Sequence, residues 1–412
     1  MKNIIKIAFR NLKRSSRRTL LTAALITIGV IFVLVYSALS SSFKSYMVGE
    51  ITDSMMGHIQ IHKKGYIASV DNLPLDKNLN SKQIDKILEV LDTNPYVESY
   101  TFRIKLGGMF SNYVSSTNIR LNAIDPQRER ITLPLFEKRI MEGEPHLLNK
   151  GEMLIPELLA KGMQVKKGDT AVLVVNNKQG SVNGLNLKVA GIVEPISGPG
   201  GRDGYFHIED AKKILRIKDA EVSEIVIRIK DVTKLQEAMQ SMKSLSMIRN
   251  QKDKPVFEVH AWTKLSPFYN IIKMLNLMDI SIKIILISIV LISILNVMIM
   301  SVYERIKEIG TIAAMGTPPS TIVKLFLTEG FMLGVFGAIV GSAISFVIVK
   351  VIDTIGVKFA FGRQGELVLH PSLQMSDIIA VSIIVIIISL IASISPAFKA
   401  SKLNPVDALR QN

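Results

Sequence analysis

His58 and His62 stand four residues apart, the spacing at which two imidazoles on one helix face share a metal ion. Their setting argues against that geometry. Residues 57–62 alternate apolar and polar side chains, the period of a strand, and four strand residues span about 13 Å. The pair is therefore expected to be solvated strand histidines. The chain has no cysteine, so thiolate metal sites and disulfides are excluded. It contains no Gly-x-x-x-x-Gly-Lys loop, and no Gly-Lys dipeptide at all, so a P-loop phosphate cradle is absent from these residues. The glycine-rich run 198–204 follows no strand–loop–helix pattern and reads as a surface loop. No Ser/His/Asp or paired-carboxylate constellation stands out by spacing. No catalytic, cofactor-binding or metal residue is assigned, and the chain reads as non-enzymatic.

The elements that would position any chemistry are mostly membrane spans. Four stretches, 20–39, 284–302, 326–349 and 378–394, are almost free of charge, with Glu329 as the one acid among them. Each is about the 20 residues that cross about 30 Å of hydrocarbon. The spans are assigned to 20–42, 280–302, 326–350 and 378–396. Residues 1–19 carry seven basic residues and no acid, and the 303–325 loop adds Arg305, Lys307 and Lys324. The tail, 397–412, adds Lys399, Lys402 and Arg410, whereas 351–377 sets Lys358 and Arg363 against three acids. The positive-inside rule then places both ends in the cytosol and 43–279 outside. A small-x-small pair at Ala38 and Ser40 resembles a signal-peptide cleavage site, but the apolar run is long for one, so an uncleaved anchor is expected. Ile4, Ile5, Ala8, Phe9 and Leu12 fall on one face of a basic amphipathic helix before it.

The net charge of +15 suggests a nucleic-acid partner until it is partitioned. Residues 43–283 hold an excess of only 6 positive charges, and the remaining 9 lie beside the membrane. Membrane lipid is the expected partner of that charge, and nucleic acid is not.

The 43–279 segment reads as α+β. A strand at 57–62, a helix from Ser81 and a strand near 96–104 recur later as a strand at 222–229, a helix at 232–245 and a strand near 255–259. Between them, about 106–220 is strand-rich and punctuated by Gly107-Gly108 and Asn176-Asn177. The expectation is a split α+β unit with a β-rich insertion. From Trp262 onward, helical spacing is expected to run without a breaker into the second span.

Within the membrane, Gly330, Gly334, Ala338 and Ser342 form one row of small residues, and Gly337, Gly341 and Ser345 another. Such rows let helix backbones approach closely, either within one bundle or at a subunit interface. Asn296 is costly in hydrocarbon without a partner, which predicts an interhelical hydrogen bond, with substrate contact as the other role. The inner loop offers the best functional candidates. Residues 303–309 extend the second span as a charged helix, Gly310 and Gly316 end or bend it, and Thr317 caps a new helix with Pro318 at its first position. A small helix along the membrane face, presenting Met315, is one reading; a plain re-entry turn is the other.

At these residues the chain resembles the FtsX-type, or type VII, ABC transporter permeases, which include MacB and, closest in layout, the lipoprotein-releasing LolC and LolE. The resemblance rests on Ala8-Phe-Arg-Asn-Leu-Lys-Arg14, on Glu304-Arg-Ile-Lys-Glu-Ile-Gly310 with Ala314-Met-Gly316, on Gly151-Glu-Met-Leu-Ile155, and on an ending from Pro396 to Arg410. It implies a permease dimer, homomeric or with a related subunit, in the bacterial inner membrane, carrying a cytosolic ABC ATPase dimer that holds the ATP and Mg. The segment 310–321 would be the coupling helix, with Glu304, Arg305, Glu308, Gly310, Met315, Gly316, Thr317, Pro318 and Pro319 as ATPase-coupling residues. The implied activity is mechanotransmission, with substrate handled outside and a periplasmic carrier or adaptor as a further partner class. One departure stands out. LolC-type members carry a long, proline-bearing hook between the strands at 170–175 and 187–193, and here that interval is short and free of proline.

Overall fold

The computed structural model describes residues 2–14, 16–143, 148–194, 203–360 and 366–404. Most of the 198–204 loop, Arg363 and Arg410 lie outside them. The chain divides into two units, residues 1–46 with 270–412, and residues 47–269.

The first unit opens with α1 (Lys2–Arg14) and α2 (Ser16–Ile51). On α1, Ala8 is fully buried and Leu12 packs on the bundle core, while Ile5 and Phe9 stay exposed. Residues 47–269 then form the second unit, and the remaining spans follow it in the chain.

In the second unit β1 (Ile59–Lys63), α3 (Ser81–Asp92) and β2 (Val97–Ser111) come first. Helix α3 starts where Asn80 and Gln83 form a reciprocal capping box, and it buries Ile84, Ile87 and Leu91 at helical spacing. Next are β3 (Ser116–Ile124), α4 (Pro126–Thr132), β4 (Ile140–Glu142), β5 (Glu152–Pro156) and α5 (Glu157–Met163). They are followed by β6 (Thr170–Asn176), β7 (Val182–Val193), β8 (Asp203–His207) and α6 (Ile208–Leu215). The unit closes with β9 (Glu224–Ile229), α7 (Leu235–Ser241), α8 (Lys243–Met247), β10 (Phe257–Ala261) and α9 (Trp262–Leu265).

Strands β10, β1, β9 and β2 lie side by side and antiparallel, joining the two separated segments as expected. Strand β2 then continues into a second set. Its far half pairs with β3 and β6, and the ring β2–β3–β8–β5–β7–β6 closes on itself as a six-stranded barrel. Closure leaves the three-residue β4, which pairs with β7 alone among the described residues, as the edge of the insertion. The expected break at Gly107-Gly108 does not occur, because both glycines lie within β2. A Cβ on Gly108 would stand 2.8 Å from Val175 and 2.9 Å from the Val174 carbonyl, so the glycine is what lets β6 cross there.

A buried ion network sits where the two strand sets share β2. Arg103 Nε donates to Glu129 at 2.9 Å, and its Nη1 lies 3.3 Å from Glu224. Lys105 reaches the same Glu224 at 2.9 Å, and His62 at 3.3 Å. Burial pushes the Glu224 carboxyl up, but Lys105, His62 and Arg103 together hold it below the usual carboxylate range.

This network corrects the reading of the histidines. His62 is fully buried and His58 is 2 % exposed, because β1 is flanked by β9 and β10 and buried on both faces. Among the described residues no group of three or more acids and histidines could hold a metal. His58 instead accepts the Ile229 N–H through Nδ1 at 3.1 Å, and His62 stacks on Tyr66 at 5.1 Å.

Burial lowers the pKa of both His58 and His260 below 6.5, against the opposing pull of Asp53 and Glu258 respectively. The unfolded chain therefore binds protons on these imidazoles at a higher pH than the folded chain. Stability is fully present above about pH 6.5 and falls as pH drops toward the lowered folded values. Hydrogen exchange on the full chain is expected to show β1 and β10 losing protection between pH 7.5 and 5.5. His58→Gln together with His260→Gln should flatten that dependence; an unchanged slope would refute the assignment.

The chain returns to the first unit through α10 (Tyr269–Glu304), α11 (Ile306–Ala314), α12 (Pro319–Ile355), the two-stranded ribbon β11 (Val357–Ala360) and β12 (Glu366–Leu369), and α13 (Met375–Ser401). The expected unbroken run from Trp262 does not form, because α9 ends before Pro267 and α10 begins at Tyr269. Four helices are long and apolar enough to cross a membrane, in the order the hydropathy predicts. Helices α2 and α10 each have 36 residues, about 54 Å at 1.5 Å per residue, and so outrun the hydrocarbon thickness.

The two rows of small residues on α12 face two different neighbours. A Cβ on Gly330 or Gly334 would overlap Ser393 or Ser389 of α13, and one on Gly337 or Gly341 would overlap Ile26 or Val30 of α2. Both rows therefore pack the chain's own bundle, the first of the two roles left open by the spacing. Asn296 is a correction: it lies on the exposed side of α10 and makes no interhelical hydrogen bond among the described residues.

Candidate functional site

The end of the bundle that carries α1 and α11 is built around the one acid of the third span. Glu329 is 2 % exposed, and its Oε1 accepts from Arg305 Nη1 at 3.0 Å and from Asn11 Nδ2 at 2.9 Å. Arg305 Nη2 also donates to the Asn11 carbonyl at 3.0 Å. Three separate pieces of chain, the end of α1, the break after α10 and the first third of α12, are thus tied at one point. Thr19 adds a bond to the Leu12 carbonyl at 2.8 Å across the α1–α2 junction, and Arg14 pairs with the exposed Glu308 at 3.2 Å. A buried charge survives only when paired and hydrogen-bonded, which is the condition met here.

Arg305, one of the coupling residues that the resemblance implies, is mostly enclosed and serves as an internal brace. It also occupies the helix break. Its φ and ψ of −110° and 17° interrupt the helix between Glu304 and Ile306, whereas Gly310, the expected break, lies buried inside α11. Ile306, Ile309 and Gly310 form the face of α11 turned to the bundle, and Ile309 belongs to its apolar core. Glycine tolerates helical angles at a cost of about 1 kcal/mol, which close packing of this face offsets.

The chain then turns at Gly316, whose φ of +85° is a left-handed conformation that favours glycine. The Gly316 N–H donates to the Ala313 carbonyl at 3.0 Å, closing the end of α11. The expected cap at Thr317 is one residue early. Pro318 is the N-cap, with ψ of 143°, and Pro319 is the first helical residue of α12. The physical reason is local: a residue before proline is driven out of the helical region, so Pro318 cannot open the helix that Pro319 can. The helix foreseen at 310–321 is accordingly replaced by α11, a turn at 315–318 and the start of α12. That turn projects an apolar tip. Met315 is 73 % exposed, and Gly316, Pro318 and Pro319 are exposed beside it. Glu304 and Glu308 are exposed at the other end of the segment. Spacing missed Glu329 and Asn11 as parts of this site. The lone acid in an apolar run was the available signal, since an intramembrane charge implies a named partner.

A braced, exposed turn at one end of a four-span bundle, with a barrel-bearing domain in the long segment between the first two spans, describes a multi-pass membrane protein. Two family models fit the chain in sequence order. One, described as MacB-like periplasmic core domain, matches residues 19–245, more than half of the chain; the other, described as FtsX-like permease C-terminal, matches residues 280–405. The chain belongs to this family: it is an ABC transporter permease of the MacB, LolC and FtsX type. It is 23 % identical to an uncharacterized ABC transporter permease of Methanocaldococcus jannaschii, over 99 % of this chain and 98 % of that one. It is 24 % identical to the probable export ATP-binding/permease protein MacB of Pseudomonas entomophila, over 99 % of this chain but only 58 % of the relative. It is 21 % identical to the lipoprotein-releasing system transmembrane protein LolC of Neisseria meningitidis, over 95 % and 94 % of the two chains.

Proposed function

We propose that this chain is the mechanotransmission subunit of an ABC transporter and that its motor is a separate cytosolic ATPase dimer holding ATP and Mg. The observation that carries this reading is the braced turn at 315–318, an apolar knob stiffened from behind by the Arg305–Glu329–Asn11 junction. A surface that must receive a push has to be exposed at its tip and tied to the bundle at its base, and Met315 with the Arg305–Glu329–Asn11 junction meets both needs. The absence of any Gly-Lys dipeptide in these 412 residues supports placing the phosphate cradle elsewhere. In this reading the termini and α11 face the cytosol of a bacterial inner membrane, a second permease subunit completes the pair, and lipoproteins or a related envelope substrate are extracted from the outer leaflet.

A second reading draws on the β6–β7 hairpin. The strands pair without interruption to Asn176 and Val182, leaving a turn of 177–181. Asn177 Oδ1 accepts from the N–H groups of Gln179 and Ser181, at 3.0 and 2.9 Å, which closes that turn. No long hook projects there, so recruitment of a carrier at this hairpin is disfavoured and MacB-like export through an adaptor gains. Regulation of cell-wall hydrolases in the manner of FtsX is the remaining alternative.

Met315→Glu is expected to abolish co-purification of the ATPase from native membranes without changing the melting temperature of the chain. The side chain is largely exposed, so its replacement leaves the bundle intact. Retention of the ATPase by this variant, or absence of any ATPase from the unmodified chain, would overturn the reading.

A further inference from the structure

The strand set β10–β1–β9–β2 ends at β10, which has a neighbouring strand on one side only. The register decides which of its backbone groups face outward. Lys64 N–H donates to the Val256 carbonyl at 2.8 Å, and Trp262 N–H donates to the His58 carbonyl at 3.0 Å. The residues that bond to β1 are therefore Val256, Glu258, His260 and Trp262, and the N–H and C=O of Phe257 and Val259 point away from it. The chain begins to fill that outer lane and then leaves it. Val256 N–H donates to the Ile248 carbonyl at 2.9 Å, and Arg249 bridges to Pro255. Met247, next in that lane, already belongs to α8, whose Leu245 is fully buried. Beyond Val256 the lane has no strand among the described residues, and Val259 makes no outward backbone bond there.

A groove of about 470 Å³ follows this edge, lined by Met239 of α7, Ser246 of α8, Phe257 and Val259, with the exposed Lys64 and Lys264 beside them. Its one acid is already engaged. Glu258 is buried, accepts from the Ile67 N–H at 3.0 Å and pairs with Lys64 at 3.4 Å. Lys264 and Lys254 stand exposed at the two ends of β10, and neither makes an ion pair among the described residues. The edge thus offers unpaired backbone groups between unpaired positive charges.

We propose that the β10 edge takes up an extended acidic segment of a partner protein as a further antiparallel strand. Val259 donates its N–H to the added backbone and accepts one in return, and main-chain bonds of this kind supply affinity while the flanking side chains select the sequence. The two lysines select for carboxylates. A second copy of this chain fits poorly in the same lane. Two β10 edges paired about Val259 set Lys254 of each copy beside Lys264 of the other, and like charges placed opposite each other destabilise a strand pair. The proposal does not depend on the transporter reading and adds a surface to the outer domain.

The test uses a fluorescent peptide of alternating glutamate and valine, titrated onto the full chain in detergent and read by anisotropy. It is expected to bind at least about 10-fold more tightly than its lysine–valine counterpart, with the gap narrowing as salt is raised. N-methylation of the peptide amides keeps the charge and removes the donors, and is expected to weaken binding about 10-fold or more. Val259→Pro deletes an outward N–H at an edge position where proline is tolerated. That variant should keep its melting temperature and lose the peptide to a similar degree. Lys254→Glu together with Lys264→Glu leaves the backbone alone and should shift the preference toward the lysine–valine peptide. Equal binding of the methylated peptide, unchanged binding by Val259→Pro, or an unaltered preference in the lysine variant would each overturn the proposal. Failure of the acidic peptide to bind would also overturn it, and would leave the lysines as a device that only blunts the edge. A disulfide-linked pair of Val259→Cys chains formed without peptide would assign the edge to a second copy and likewise refute it.

Discussion

Glu329→Leu is expected to destabilise the membrane bundle by about 3–5 kcal/mol, the range measured when one partner of a buried ion pair is removed. The substitution leaves Arg305 largely enclosed without the Glu329 carboxylate and removes the Glu329 acceptor from Asn11 Nδ2. The cost arises from the stranded guanidinium more than from the lost attraction, so it should be reversible by a second change. Arg305→Met in the Glu329→Leu background is expected to recover most of the melting temperature of the full chain in detergent. Recovery of stability need not restore coupling, because the junction also ties α1 and α11 to α12. The double variant should therefore melt near the unmodified protein yet release its ATPase more readily. Equal melting temperatures for the unmodified protein and Glu329→Leu would show that the junction is not a structural brace.

The second large effect is expected at Gly334. A Cβ there would overlap the Ser389 hydroxyl and stand 2.9 Å from the Ser389 Cβ, with the Ile386 Cα at 3.4 Å. The hydroxyl can rotate, but the Ser389 Cβ and the Ile386 Cα cannot, so the helices must separate, at a cost of about 1–3 kcal/mol for Gly334→Ala. Bundles in lipid lack a hydrophobic force pulling helices together and depend on close packing, which makes the loss harder to absorb. Ser389→Gly is expected to restore the stability of Gly334→Ala by removing the obstructing atoms. The same change should not rescue Gly341→Ala, whose Cβ would stand 2.7 Å from Val30 on α2. Rescue of both variants, or of neither, in thermal unfolding of the full chain would contradict the assignment of the two rows to two neighbours.

These two sites differ in how far they could be read from residue order. The glycine rows are periodic, and period is a local property, so their existence on α12 was legible. Which helix each row meets was not, because Ser389 and Ile26 are distant in sequence. Glu329 was legible as a lone acid, whereas Arg305 and Asn11 were brought to it only by the return of the chain. The histidines failed for a related reason. Alternation at 57–62 reports a strand correctly, but it cannot report that both faces of that strand are covered, which depends on β9 and β10 arriving from more than 160 positions later. The misplacement at Thr317 has a different origin. The effect of Pro319 on the residue before it is local chemistry that the residue order contains in full.

What residue order alone determines here are the properties that hydrophobicity and backbone sterics impose over short distances: four spans, a split α+β domain, a capped α3, and a proline-marked start to α12. What only the tertiary structure decides are the pairings: the barrel closed by β6 on β2, the burial of His58 and His62, the Arg305–Glu329–Asn11 junction, and the bareness of Asn296. The division follows from physics. Desolvation of a long apolar run is decided by its own composition, whereas the fate of a polar group depends on which other polar group the fold sets within about 3 Å of it.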